Sequence, residues 1–324
     1  MSKYLTENDK KVIVEEKFKG TSSRKIGKII SRGKSTINDY WNRITKESGM
    51  INANPPEGAK VLFVDLEVSA SIVAAFSMFK HFSTPDHIIQ FPYVLSYACN
   101  WLHEPEDVIE CYGLNDFDKF KSDPKDDYEL ILRLWKWFDE ADIVVAHNAR
   151  FDVQWFNMRC AMYQIPEPSP FRIICTLKGL KRSMALPSNS LNYSTKYFAL
   201  EHSKLHHEGI SLWIRCMDGK VEALEKMKDY NRGDIPTLRS LYLTIRSYIP
   251  NHPNISLYYD QKEGGGKRCS VCGSHDLIKL DSKAYTNLNA FTSYRCGNCG
   301  TVKRSNESAV TKEMRNDMMR NLTR

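Results

Sequence analysis

Asp65 and Glu67 stand two residues apart behind Val61-Leu62-Phe63-Val64, a short β-branched apolar run that predicts a buried strand with both carboxylates on one face. Asp152 closes the segment His147-Asn148-Ala149-Arg150-Phe151-Asp152, which follows a second apolar run, Ile143–Ala146, and opens a helix. Asp234 lies in Tyr230-Asn231-Arg232-Gly233-Asp234 on a late helix, with Tyr230 four residues before it and therefore on the same face. Four carboxylates converging on one sheet edge repel one another strongly unless cations neutralise them. Hard oxygen ligands favour Mg²⁺ or Mn²⁺ over zinc. Two such ions about 4 Å apart form a clamp for in-line attack of water on a phosphodiester. Singly, each piece is ordinary: a D-x-E pair is usually a solvated face, and an aspartate at a helix start is usually an N-cap. Their conjunction, in this order and on these elements, is specific.

A second kind of chemistry sits near the C-terminus. Cys269-Ser270-Val271-Cys272 and Cys296-Gly297-Asn298-Cys299 are two C-x-x-C pairs with 23 residues between them, each followed by a glycine, Gly273 and Gly300. The spacing slightly exceeds the usual ~15–20 residues but suits a ribbon hairpin. Four thiolates make a closed tetrahedral site, hence one structural Zn²⁺. The other five cysteines (Cys99, Cys111, Cys160, Cys175, Cys216) are scattered and read as buried small apolar residues. Lys267, Arg268, Arg295, Lys303 and Arg304 interleave with Tyr285, Phe291 and Tyr294 around the pairs, a composition that suits a nucleic-acid surface; the competing reading is a solvated face over a small core.

The elements that must position these groups follow from pattern. Ile88 to Trp101 and Val108 to Tyr112 continue the strand signal, Tyr128 to Phe138 has helical spacing, Asp152 to Tyr163 follows as a helix, and Glu222 to Tyr248 is helical with Pro236 as an expected kink. Strands first, then strand and helix in alternation, predict an α/β domain with a central mixed sheet over residues 60–250. Asn52-Ala53-Asn54-Pro55-Pro56-Glu57-Gly58 and Lys262-Glu263-Gly264-Gly265-Gly266-Lys267 are the expected joints, bounding a ribbon over 267–304 and a basic tail over 305–324. In residues 1–50, Ile26-Gly27-Lys28-Ile29-Ile30-Ser31-Arg32-Gly33-Lys34-Ser35-Thr36-Ile37 aligns with a helix-turn-helix pattern. Ile26, Ile30 and Ile37 are its expected core, Gly27 the close-packing residue, Ser31 the occupant of a turn where glycine is common, and Ser35-Thr36 the start of a recognition helix through Tyr40, Trp41 and Arg43. Thirteen Lys/Arg against seven Asp/Glu over residues 1–60 favour docking in a DNA groove over a purely structural or protein-binding bundle.

The whole composition bounds these readings. The 324 residues allow about two domains with small appendages, and 42% hydrophobic with 26% charged residues excludes wholesale disorder. The net charge of +7 suits a polyanionic partner. Charge throughout the first twenty residues argues against a signal peptide, and the longest uncharged run, Ile88 to Leu102, falls short of the ~20 residues that span a bilayer. A protein of the cytoplasm, without a membrane partner, is expected.

Val64-Asp65-Leu66-Glu67, the His147–Asp152 segment and the Y-x-x-x-D form of Tyr230–Asp234 together resemble the three motifs of the DnaQ-like exonucleases of the DEDD superfamily, which have an RNase H-like fold. The Y-x-x-x-D form is that of the tyrosine subclass, to which the proofreading domains of family B DNA polymerases belong, and Ser190 to Phe198 is similar to the helix those domains carry before the third motif. The resemblance spans residues 60–250 and is nearest to phage-encoded, stand-alone members that end in a zinc ribbon, for which the compartment would be the bacterial host's cytoplasm. Two departures stand out: Cys175 precedes Thr176 where many relatives have an aspartate, and Arg150 replaces a frequent glycine.

The resemblance implies a 3′→5′ exonuclease with two Mg²⁺ or Mn²⁺ ions. Asp65, Glu67 and Asp234 would hold the ion that activates water, and Asp65, with Asp152 directly or through water, the ion that stabilises the leaving 3′ oxygen. Tyr230 would orient the water, since a phenol with a pKa near ~10 is a poor base at neutral pH. Asn148, Arg150 and Phe151 are the expected substrate contacts, and His147 is expected to support the strand end. DNA is the favoured substrate over RNA, and replication or recombination proteins are the candidate protein partners. The alternatives are an RNase H-fold endonuclease, an exoribonuclease, and a non-catalytic DNA-binding regulator.

Overall fold

Strand β1 (Val61–Val68) owes its place at the centre of the sheet to its composition: every residue of Val-Leu-Phe-Val-Asp-Leu-Glu-Val is buried except Asp65 and Glu67, which are half-exposed on one face. The computed structural model describes residues 5–18, 23–37, 40, 58–75, 77, 83–201, 208–259 and 266–319. It divides into two compact units, Ala59–Pro253 and a second composed of Met1–Gly58 with Asn254–Arg324. The expected recognition helix beyond Tyr40, residues 52–57 of the first joint, 262–265 of the second and the end of the basic tail lie outside the described residues.

In the larger unit, β2 (Ile72–Val73) and β3 (Ile88–Gln90) form a small separate antiparallel pair. The main sheet adds β4 (Val94–Trp101), β5 (Glu110–Gly113), β6 (Ile143–Ala146) and β7 (Arg172–Cys175) in the order β5-β4-β1-β6-β7. β1 runs antiparallel to β4 and parallel to β6; β6 and β7 are parallel, β4 and β5 antiparallel. This is the mixed α/β sheet that the sequence pattern predicts. Two strand limits differ from expectation. The run from Ile88 to Trp101 is two strands, broken at Phe91-Pro92-Tyr93, because Pro92 has no N–H to give a ladder and only the second half pairs with β1. Val108 is exposed and outside β5, which begins at Glu110.

Helix α1 (Glu7–Phe18) and α2 (Ser23–Ile30) belong to the smaller unit. The larger unit contains α3 (Tyr128–Glu140), α4 (Arg150–Met162), α5 (Thr176–Ser183), α6 (Leu191–Tyr197), α7 (Ile210–Met217) and α8 (Val221–Ile245). α3 buries Leu130, Ile131, Leu134 and Phe138, one stripe at helical spacing, and Phe138 stacks on Phe156 of α4 with ring centroids 4.1 Å apart. α8 continues through Pro236 without ending there. Ile235, Thr237, Leu238 and Leu241 are all buried around it, so tertiary packing outweighs the lost backbone bond.

α4 is held at its far end by a buried polar cluster. Asp127 accepts from the Val94 amide at 2.8 Å, from Arg159 and from the Tyr163 hydroxyl at 2.6 Å. A second cluster joins the outer strands to α3. Glu110 accepts from Tyr97 Oη at 2.7 Å, Trp137 Nε1 at 2.7 Å and Arg133 Nη2 at 3.1 Å.

In the smaller unit, α1 opens with a reciprocal cap, Thr6 and Asp9 each bonding the other's backbone amide at 3.0 and 3.1 Å. Ile13, Ile26 and Ile37 are fully buried together, with Ile30 and Tyr40 against them. Ser31 adopts a left-handed φ of +55° at the turn after α2 and residues 34–37 are helical. A Cβ on Gly27 would come within 2.6 Å of the Arg32 carbonyl oxygen, so only glycine allows that approach. Strands β8 (Leu277–Tyr285), β9 (Ala290–Cys296) and β10 (Val302–Ser308) form an antiparallel sheet in the order β10-β9-β8, and α9 (Lys312–Asn316) follows. β10 runs four residues past the expected ribbon limit at 304, with Ser305 buried inward.

Burial pushes the Glu110 carboxyl up, but hydrogen bonds from Arg133, Tyr97 and Trp137 outweigh it and hold it below the ordinary carboxylate range. A depressed carboxyl stabilises the fold above its unfolded titration range, and that contribution is lost as pH falls through the folded value. Glu110→Gln should therefore lower stability at pH 7 by roughly 1–3 kcal/mol. In urea unfolding, the gap to the wild type should narrow progressively as the pH falls below the ordinary glutamate range toward the folded value.

Candidate active site

The alternation of β1 puts Asp65 and Glu67 on one face, and α8 crosses that face with Asp234. Ligand oxygens of Asp65, Glu67 and Asp234 lie within 4.8 Å of one another, with Asp234 fully buried. Asp152 enters from the first turn of α4: it is buried, and its Oδ1 accepts from the Leu66 amide at 3.1 Å, between the two β1 acids. Burial pushes the Asp152 carboxyl up to about 7, against the pull of the Leu66 amide and its own. Tyr230 is buried one turn before Asp234, and the Trp213 ring of α7 meets it edge-on at 6.3 Å. The five side chains expected to do chemistry thus come from one strand end and two helices of a single unit.

Three features of the site were not read from the sequence. Asn231, fully buried, donates from Nδ2 to Asp65 Oδ2 at 2.7 Å and to the Asp65 carbonyl at 3.1 Å, while Ser96 Oγ donates to Asn231 Oδ1 at 3.4 Å. Its place three residues before Asp234 on the same helix face is the signal that could have found it. The β1–β4 register slips between Glu67 and Val68, so β4 carries an extra residue beside the site. α7 supplies the third: its buried Cys216 thiol is pushed up to about 12, chiefly by burial, with Glu67 adding to the rise, so the wall beside Glu67 is uncharged.

The expected substrate contacts lie on the turn into α4 and its first turn. Asn148 is exposed with a left-handed φ of +66°, Arg150 is exposed, and Phe151 is 41% exposed with its ring 6.2 Å from that of Trp155. His147 Nδ1 lies 3.0 Å from Thr176 Oγ1, which itself donates to the Ala146 carbonyl at 3.3 Å. His147 and Thr176 therefore tie the end of β6 to the start of α5.

In the other unit, Cys269, Cys272, Cys296 and Cys299 bring their sulfurs within 4.8 Å of one another, with Cys269–Cys299 at 3.6 Å and Cys272–Cys296 at 3.5 Å. A tetrahedron with ~2.3 Å metal–sulfur bonds has edges of about 3.8 Å, so these thiols fit one zinc ion. The two knuckles match: Gly273 donates to the Cys269 carbonyl at 2.9 Å and Gly300 to the Cys296 carbonyl at 3.0 Å, both glycines having φ above +70°. Lys267 lies over Tyr294 and Arg304 over Phe291, at 4.9 and 3.7 Å from the ring centroids, so cations cover two of the three expected aromatic faces and Tyr285 alone is widely exposed.

Residues 117–211 match the family model RNase_T, described as an exonuclease. No curated protein matches the chain. An exonuclease domain is a nuclease that acts on nucleic acid with divalent cations. The matched stretch includes Asp152 but not Asp65, Glu67 or Asp234. Convergence of those three is thus a geometric finding independent of the match. Among the described residues, no helix is long and apolar enough to cross a membrane.

Asn231→Leu removes the donor that fixes Asp65 while keeping side-chain volume. Titration of Mn²⁺ by calorimetry should show affinity reduced about tenfold or more, since second-layer partners of metal ligands typically contribute that much. Metal analysis of the purified chain should give one zinc per molecule. Cys272→Ser should lose that zinc and the protease resistance of residues 266–319, leaving the melting of 59–253 unchanged.

Proposed function

We propose that the chain is a metal-dependent 3′→5′ exonuclease that hydrolyses phosphodiester bonds in DNA. The observation that carries this reading is the meeting of Asp65, Glu67 and Asp234 within 4.8 Å, with Asp152 hooked to the backbone between the first two. Carboxylates so placed fit a pair of Mg²⁺ or Mn²⁺ ions. Bound there, such ions supply charge neutralisation for the scissile phosphate and acidity for the attacking water.

The chain's own residues set the geometry. Asp65, Glu67 and Asp234 would hold one ion, and Asp65, with Asp152 directly or through water, the other. Asn231 fixes the Asp65 carboxylate by its bond to Oδ2. Tyr230 shares a helix face with Asp234 and would orient the attacking water by its hydroxyl. The 3′→5′ direction rests on the Y-x-x-x-D form of the third motif and its resemblance to the tyrosine subclass. Asn148, Arg150 and Phe151 would meet the strand near its 3′ end.

The smaller unit supports the choice of DNA. Its helical segment carries most of the net positive charge, with buried isoleucines in a helix-turn-helix arrangement, and its four-cysteine ribbon would be held by structural zinc. These parts would retain the substrate while the larger unit cuts it. A purely regulatory DNA-binding protein has no physical use for acids held at mutually repelling distance.

The test is incubation of matched 5′-labelled DNA and RNA oligonucleotides with Mg²⁺. A descending ladder from the DNA is expected; discrete internal products would replace the reading by an endonuclease, and a ladder from RNA alone by an exoribonuclease. Asp65→Ala should slow cleavage by at least about a hundredfold with duplex affinity nearly unchanged. Absence of any metal-dependent cleavage would remove the enzyme reading.

A further inference from the structure

A cleft of about 460 Å³ opens beside the first turn of α4, between α4, β7, α5 and the segment that follows α8. That volume falls within the roughly 300–1,000 Å³ of small-molecule sites. Its chemistry is divided. Arg150, Lys178 and Arg182 line it, all three exposed, and none forms an ion pair with a carboxylate among the described residues. Its floor includes Ile173, Ile249 and Pro250, of which Ile173 is 48% exposed. No aspartate or glutamate lines it. Uncompensated cations over an apolar floor are complementary to one ligand type in particular: a phosphorylated group attached to a flat, largely apolar ring.

We propose that this cleft is a second nucleotide-binding site, distinct from the carboxylate cluster. It would seat a 5′-phosphorylated nucleotide with the phosphate on Arg150, Lys178 and Arg182 and the base over Ile173, Ile249 and Pro250. Arg150 lies two residues before Asp152, so the cleft adjoins the cutting site. The nucleotide could come from two sources, a unit of the substrate strand or a free mononucleotide. The choice of ligand rests on the nuclease reading; the site itself rests on the cleft.

Calorimetric titration of the full chain with a 5′-mononucleotide in EDTA tests the site, because the cation-free acids then repel phosphate and do not compete. The wild type should bind, and the double variant Lys178→Glu/Arg182→Glu should bind about tenfold more weakly or worse. The matching nucleoside and inorganic phosphate should each bind more weakly than the nucleotide. Both substitutions are at exposed positions, and an unchanged circular dichroism spectrum would show the fold intact. Equal binding by wild type and variant, or no binding by the wild type, would overturn the proposal.

Kinetics with Mg²⁺ identify the source. If a strand unit occupies the cleft, the variant should raise KM for an oligonucleotide about tenfold or more at unchanged kcat. If a free nucleotide occupies it, added mononucleotide should alter the wild-type rate and leave the variant's rate unchanged. A wild type that binds mononucleotide through Lys178 and Arg182 yet cleaves no oligonucleotide would remove the nuclease reading and leave the cleft standing.

Discussion

Like charges do not gather unless something rigid holds them, and this constraint organises the larger unit. Asp65 and Glu67 are fixed by the pleat of a strand buried on both sides, and Asp234 by a 25-residue helix packed across it. Asn231 then binds the helix to the strand at the site itself, through Asp65. The hydrophobic core thus offsets the electrostatic cost of the cluster, and a bound cation would relieve it. Asp152 meets a different cost: burial alone drives its carboxyl toward the neutral form, against the pull of the Leu66 amide.

Much of this was legible in the chain because strand alternation and helix spacing are local. The pair Asp65/Glu67 needed only the period of two, and Tyr230/Asp234 only the helical turn. The four cysteines declared their site by spacing and by the glycine after each pair. What stayed hidden depends on where one element meets another. Asn231 is an ordinary polar residue until β1 is seen beneath it, and the register slip opposite Glu67 belongs to a pairing that no single segment encodes. The strand break at Phe91-Pro92-Tyr93 was readable from Pro92, but the apolar residues on either side masked it. The cleft by Arg150 joins segments a hundred residues apart and has no sequence signature at all.

The two units solve their stability problems differently. Residues 59–253 bury a continuous aromatic and aliphatic core around the sheet. The four-cysteine segment buries Cys269, Val271, Cys272 and Cys296 as one small cluster, with Ala290 and Phe291 buried along its sheet, and a metal ion on the thiols would add what so small a core lacks. Its cations lie across Tyr294 and Phe291, which leaves charge, more than base stacking, as the means by which that surface would meet a nucleic acid.

Helix α4 is fastened at Asp152 to β1 and, about two turns later, by Arg159 and Tyr163 to Asp127, which in turn holds the first amide of β4. A helix secured at both ends acts as a strut. Tilting it would break the Asp152–Leu66 bond at one end or the buried Arg159–Asp127 pair at the other, so the acid it bears is held beside the strand. What is left outside this strut is the exposed, left-handed turn at Asn148, just before the helix begins, while the interior stays a fixed anvil.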